Sequence, residues 1–169
     1  MKKLYLFHGS NNGQILKLKP SISLEFTKHV YATDSFTYAL VRAWKQLDLI
    51  REEYRGNGMP FELAECYPNA FEQMFDCKGY VYLLNLEDFY QDPVNLEYKS
   101  DEEVIPVDRV DVPNIWDLMR RINIDNYFYD LHWNDDEEYW KNVRGGRNGF
   151  LKRKLERKQK MIELRKAQD

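Results

Sequence analysis

Four short apolar stretches, set apart by turn-forming residues rather than by regular helices, constrain this chain most. Leu4–Phe7 runs into His8-Gly9-Ser10, and the Asn11-Asn12-Gly13 that follows is turn chemistry. Val30-Tyr31-Ala32-Thr33 reads as a second buried strand. Gly79 to Leu86 is the clearest one, with Tyr80-Val81-Tyr82-Leu83-Leu84 at its centre. Glu102 to Val112 reads as the last. Pro106 has no amide proton to give a ladder, so this strand is expected at an edge or bulged. Val110 and Val112 alternate with charged neighbours, as on a half-buried strand.

Helical patterning surrounds these strands. Asp34 or Ser35 can cap a helix predicted from Phe36 to about Arg55, with Ala39, Leu40, Ala43, Trp44 and Leu47 on one face. Gly56-Asn57-Gly58-Met59-Pro60 breaks it. Residues 61–77 are ambiguous, with Phe61, Leu63, Phe71, Met74 and Phe75 suited to short helical turns. Ile115, Trp116, Leu118, Met119 and Ile122 form a further helical stripe opening near Pro113. Residues 123–129 link it to an acidic stretch at 134–138. Gly145 to Gly149 is Gly-rich but lacks the GK[ST] end of a phosphate loop, and reads as a hinge. Phe150 to about Ala167 is a charged helix. Strands that cluster before residue 113, without regular strand–helix alternation, favour an α+β fold over a doubly wound sheet.

A chain of 169 residues suits one domain with an appendage. The expected division is a core over 1–112, a helical extension over 113–149 packed on that core, and a basic terminal helix over 150–169. Cys66 and Cys77, with no CxxC, exclude a disulfide framework or a thiolate zinc site and fit free thiols in a reducing cytoplasm. No apolar run is long enough to span a bilayer, so no membrane partner is expected, and Leu4–Phe7 is too short for a signal peptide. Charge is uneven: residues 150–169 sum to +5, leaving −8 for the rest of a chain at −3. An acidic body with a basic tail does not read as a dedicated nucleic-acid binder, and the tail suits a solvated helix packed on the body, a contact for nucleic acid or an anionic partner, or association with another copy. Its Lys-interrupted apolar stripe argues against membrane insertion.

Three polar signatures sit at strand ends or edges: His8-Gly9-Ser10, Val30-Tyr31-Ala32-Thr33 and Ser100-Asp101-Glu102-Glu103-Val104. Each alone is ordinary. A histidine before glycine is commonly a satisfied surface residue, a strand tyrosine is commonly core, and acids opening a strand commonly face solvent. Among the other histidines, His29 reads as a loop residue. His132 with Asp130, Asp135 and Asp136 matches no zinc spacing, so no metal is expected.

Taken in order, "LYLFHGS", "VYAT" opening a helix with Ala39 and Ala43, and "EYKSDEEVIPVDRV" resemble the ADP-ribosyltransferase superfamily over about residues 3–112. The likeness is to its histidine–tyrosine–glutamate branch. The resemblance implies a split antiparallel sheet with flanking helices and a C-terminal helical extension. It implies NAD as co-substrate, with ADP-ribose passed to an acceptor. By the same resemblance, His8 donates to the adenine-side ribose, Gly9 presents backbone groups to the carboxamide, and Ser10 is the small polar residue that follows. Tyr31 stacks on the nicotinamide ring, with Tyr38 as the candidate second aromatic. Glu102 is the expected catalytic acid and Glu103 its rival.

The chemistry is coherent. Breaking the bond to nicotinamide develops oxocarbenium character on the ribose, which a fixed carboxylate stabilises. The carboxylate also accepts a proton from the incoming nucleophile. An aromatic face holds a flat cation, and glycine lets the backbone come close. No Gln/Glu-x-Glu pair marks an arginine-modifying enzyme, so a protein, nucleic-acid or small-molecule acceptor all remain open. Two other readings stand beside it: a catalytically inactive binding module of the same fold, and a component of a phage or toxin system.

Overall fold

The structure is a computed structural model that describes residues 5–23, 26–44, 50–54, 61–93, 97–122, 128–131 and 137–168. Strand β1 (Tyr5–Ser10) is followed by β2 (Ser21–Ile22), β3 (Lys28–Ala32) and helix α1 (Phe36–Val41). Next come β4 (Ile50–Tyr54), β5 (Phe61–Glu65), α2 (Ala70–Phe75) and β6 (Gly79–Asn85). The chain continues through β7 (Tyr90–Gln91), β8 (Tyr98–Ser100), β9 (Asp108–Val112), α3 (Ile115–Ile122), β10 (Phe128–Leu131), α4 (Glu137–Lys141) and α5 (Gly146–Lys166). The fold is α+β. Its sheets run β1-β6-β9, β2-β3-β8-β7 and β10-β5-β4, with the β10–β5 pair parallel and every other pair antiparallel.

The main core forms where α1, α2 and α3 meet one face of β6 and β9. Ala39, Leu40, Val41 and Ala43 pack there with Phe71, Met74, Phe75, Val81, Val112, Ile115, Trp116 and Met119. The Trp116 ring stacks on Phe71 at 5.3 Å and on Phe75 at 6.0 Å. Helix α1 lies against bare backbone. A Cβ on Gly9 would sit 1.8 Å from the Ala39 carbonyl oxygen, and one on Gly79 would sit 2.8 Å from that of Ala43. Glycine on the strands and alanine on the helix therefore set the approach of α1. A second core joins the sheets through Leu6, Leu18, Val30, Ala32, Tyr82, Leu84 and Val104.

Ser35, not Asp34, caps α1, its Oγ accepting from the Tyr38 N–H at 3.0 Å. The helix expected to reach Arg55 ends at Val41, and Ile50–Tyr54 is a strand. Its antiparallel partner, Phe61–Glu65, supplies a pairing more distant than the periodicity that suggested helix. The ambiguous 61–77 stretch divides into β5 and α2. The buried Glu65 carboxylate accepts from the Phe71 N–H at 3.0 Å, where a helix start favours negative charge.

The strand expected over 102–112 is shorter. Only Asp108–Val112 forms a ladder, at an edge as Pro106 suggested, while Val104 bridges Leu18. Val110 and Val112 share a face, but only Val112 is covered, and Val110 is exposed. Within 113–149, α3 enters the main core and β10 pairs with β5. Helix α5 begins at Gly146, after glycines with φ of 74° and 60° turn the chain. It packs on the body through Leu151 beside Trp140 and Cys66, and Arg165 Nε donates to the Ile22 carbonyl at 2.7 Å. No helix among the described residues is long and apolar enough to cross a membrane.

Candidate functional site

Strands β1 and β3 touch and then part. Phe7 and Thr33 exchange backbone hydrogen bonds of 2.7 and 3.0 Å, forming an isolated bridge. Phe7 thus directs its peptide groups away from β6. The two-residue alternation of a strand turns the Gly9 N–H and C=O the same way, because the β1–β6 register runs unbroken from Tyr5 to Ser10. No ladder forms opposite Gly9; the edge of β3 is next taken by β2, at His29. Gly9 therefore presents backbone donor and acceptor to an interval between β1 and β3.

His8 spans that interval. Its Nδ1 lies 2.8 Å from the Tyr31 carbonyl oxygen, which requires the proton on Nδ1. Burial holds the imidazole pKa below its ordinary value, against the upward pull of that carbonyl. The neutral ring then has Nε2 as an acceptor. This reverses the polarity expected from sequence: toward a ribose hydroxyl, His8 would accept rather than donate.

Tyr31 pairs across the ladder with Lys99. Its hydroxyl lies 2.6 Å from Thr27 Oγ1 and donates to Ser23 Oγ at 3.2 Å. The Lys99 ammonium sits 5.6 Å from the ring centroid and pairs with Asp92 at 2.7 Å. His29 meets the same ring edge-on at 5.7 Å. His29 is a β3 residue, not a loop residue, and its Nδ1 lies 2.7 Å from Asp101. Tyr31 is thus half-buried in a polar cluster, and a cation already faces its ring.

The acid expected at Glu102 is not in this cluster. Glu102 is exposed on the bend after β8, and its N–H donates to Ser100 Oγ at 3.3 Å. Glu103 is also exposed; its carboxylate pairs with Lys17 at 2.7 Å, a bond that holds its pKa below the usual value. The residue that sequence reasoning passed over is Glu97. It immediately precedes β8, and the Ala32–Tyr98 register sets it opposite Thr33, on the Tyr31 and Lys99 face. Its backbone is held by the Asp92 N–H, which donates to the Glu97 carbonyl at 2.7 Å. Its Oε2 is buried without a hydrogen-bond partner among the described residues. Such a group is costly to leave unmatched. The signal lay in "LEYKS", where an acid opens a strand two residues before a lysine.

Ser10 ends β1, and its Oγ accepts from the Asn12 N–H at 3.1 Å, shaping the turn. Tyr38 lies on α1 with the Arg42 guanidinium 5.1 Å from its ring centroid, and Arg42 Nη2 donates to its hydroxyl at 2.7 Å. A basin of about 500 Å³ opens just beyond Ser10, lined by Asn11–Gln14, Lys78, Tyr80, Arg109 and Asp111. It contains none of His8, Tyr31, Glu97 or Glu102. Tyr82 pins its turn, donating to the Asn12 carbonyl at 2.7 Å and accepting from the Ile15 N–H at 3.1 Å. His132, Asp135 and Asp136 lie outside the described residues. No protein-family model matches this chain, and neither a curated protein nor a solved structure does.

Proposed function

We propose that the chain is an ADP-ribosyltransferase-like protein that takes NAD into the interval between β1 and β3. The observation that carries this reading is the buried Glu97 oxygen, without a hydrogen-bond partner among the described residues, on the Tyr31 face of a sheet that parts from β1 beside Gly9. In this reading Gly9 offers paired backbone groups to a carboxamide, and His8 accepts from a ribose hydroxyl. Glu97 takes the part expected of Glu102. As the bond from ribose C1′ to the nicotinamide nitrogen breaks, its electron pair leaves with nicotinamide. The Glu97 carboxylate then faces the positive charge left on the ribose. The acceptor nucleophile bonds to C1′ and gives up its proton to the Glu97 carboxylate.

The test is nicotinamide release from NAD by purified wild type, Glu97→Gln and Glu102→Gln. Glu97→Gln keeps shape and loses charge, so it should lower the rate by about 10²–10³ while NAD still raises the melting temperature. Glu102→Gln should match wild type. Wild type that neither releases nicotinamide nor is stabilised by NAD rules the reading out. One observation favours a second reading, a binding module without turnover. The Lys99 ammonium over Tyr31 opposes a cationic pyridinium on that ring. Stabilisation by NAD without nicotinamide release would select it.

A further inference from the structure

Helix α5 turns two different faces to the body and to solvent. Leu151, Lys154, Lys158, Met161 and Arg165 recur at helical spacing and are buried or half-buried. The rest of the helix surface holds Lys152, Arg153, Arg157, Lys160 and Lys166, all exposed, against Glu156 and Glu163, a net charge of +3, with Arg153 Nη1 also donating to the Arg144 carbonyl at 2.8 Å. From Lys152 to Lys166 these cations extend about 21 Å at the rise of an α-helix. Beside them is the turn joining β2 to β3. Phe26 sits there with φ of 61°, a left-handed backbone that an aromatic residue rarely adopts. The residue is 37% exposed. The Arg157 guanidinium and the Lys160 ammonium lie 5.6 and 4.9 Å from the ring centroid. The same turn holds the Tyr31 hydroxyl through Thr27 and Ser23.

We propose that the outer face of α5 and the Phe26 ring together bind single-stranded nucleic acid, phosphates along the cations and an unstacked base at the aromatic. A row of point charges ending at an exposed ring is the pairing of chemistries such strands require. An anionic membrane fits less well, since the outer face offers no continuous apolar stripe, only Leu155 and Leu164. The remainder of the chain is acidic and repels a polyanion, which leaves the cationic terminal helix as the side it can approach. A strand bound there passes the turn that holds Tyr31. On the reading proposed above, that makes nucleic acid the acceptor, while the binding itself does not depend on that reading.

The experiment is fluorescence anisotropy of the full chain with a labelled mixed-sequence single strand of about 20 nucleotides, at about 50 and 200 mM NaCl. Releasing counterions from about three phosphates should weaken binding about twentyfold between the two salts. Lys152→Glu with Lys166→Glu, both on the solvent face, should reduce affinity by at least about tenfold. Phe26→Gly accepts the backbone conformation and should cost about tenfold through lost stacking, with thermal melts confirming that each variant folds. The proposal is overturned if wild type fails to bind below about 100 µM at the lower salt, or if both variants bind as wild type does. It is also overturned if phosphatidylserine vesicles are bound and the oligonucleotide is not. NAD turnover is not read in this assay, so failure here leaves the nicotinamide-release test untouched.

Discussion

Two tyrosines in this molecule carry the same small kit of charges in different surroundings. Tyr31 has Lys99 5.6 Å from its ring centroid, and Lys99 pairs with Asp92 at 2.7 Å. Tyr80 has Arg109 at 5.0 Å, and Arg109 pairs with Asp111 at 2.6 Å. The inner pair is 8% and 22% exposed at its side chains, the outer pair 38% and 47%. Distance therefore does not distinguish the two sets; access to water does. The outer cation can be rehydrated when its partner goes, at little cost. The inner cation is less readily rehydrated, and the hydrogen bond it donates to Asp92 is the main reason that the Lys99 pKa stays above its ordinary value despite burial. The cluster around Tyr31 is consequently a fixed electrostatic environment, whereas the basin around Tyr80 is an adaptable surface.

The sharpest way to break this comparison is to remove each carboxylate in turn. Asp92→Ala leaves the Lys99 charge buried without its main partner and should lower unfolding free energy by about 3 kcal/mol. Asp111→Ala should cost under about 1 kcal/mol. Urea denaturation of the two variants beside wild type reads both values. Equal losses would mean that burial does not set the difference between the clusters.

The same contrast explains what was legible in the sequence. Local signals served well: β6 and α3 lie where periodicity placed them, and Ser35 caps α1. Pairing between distant segments was not legible. Ile50–Tyr54 carries charges compatible with a helix face and becomes a strand only because Phe61–Glu65 and Phe128–Leu131 build a sheet with it. At the site, the His8-Gly9-Ser10 and Tyr31 signatures do meet, His8 on the Tyr31 carbonyl. Which acid joins them depends on the β3–β8 register, a tertiary fact. Glu97, Glu102 and Glu103 look alike in sequence, and only that register sets Glu97 opposite Thr33 while Glu103 turns out to Lys17.

A smaller effect tests whether the interval beside Tyr31 is as dry as the comparison requires. The His8 pKa is depressed in the folded chain, so the unfolded chain binds the proton more readily. Stability from this group is complete above the unfolded value near 6.5 and is lost as pH falls through 6.5 toward the lower folded value. Melting temperatures at about pH 7.5 and 5.5 should therefore fall further for wild type than for His8→Gln, which keeps a donor for the Tyr31 carbonyl but does not titrate. An identical fall in both proteins would show that His8 is solvated rather than buried.

The smallest effect concerns the outer set. Arg109 Nη1 donates to the Gly13 carbonyl, its Nε pairs with Asp111, and its guanidinium covers the Tyr80 ring, with Lys78 5.1 Å from the same ring. Replacing it with Gln removes an exposed ion pair and one cation–π contact, both weakened by the surrounding water. Loss of the Gly13 contact frees the near wall of the basin, while Tyr82 still holds the turn from beneath. The expected result is a small drop in stability at low salt that shrinks at about 0.5 M NaCl, where screening has already weakened the pair in wild type. The Asp92→Ala loss should shrink less at that salt, because Lys99 and Asp92 are less exposed than Arg109 and Asp111. A salt-independent loss at Arg109 would place it with the inner set and erase the distinction between the two tyrosines.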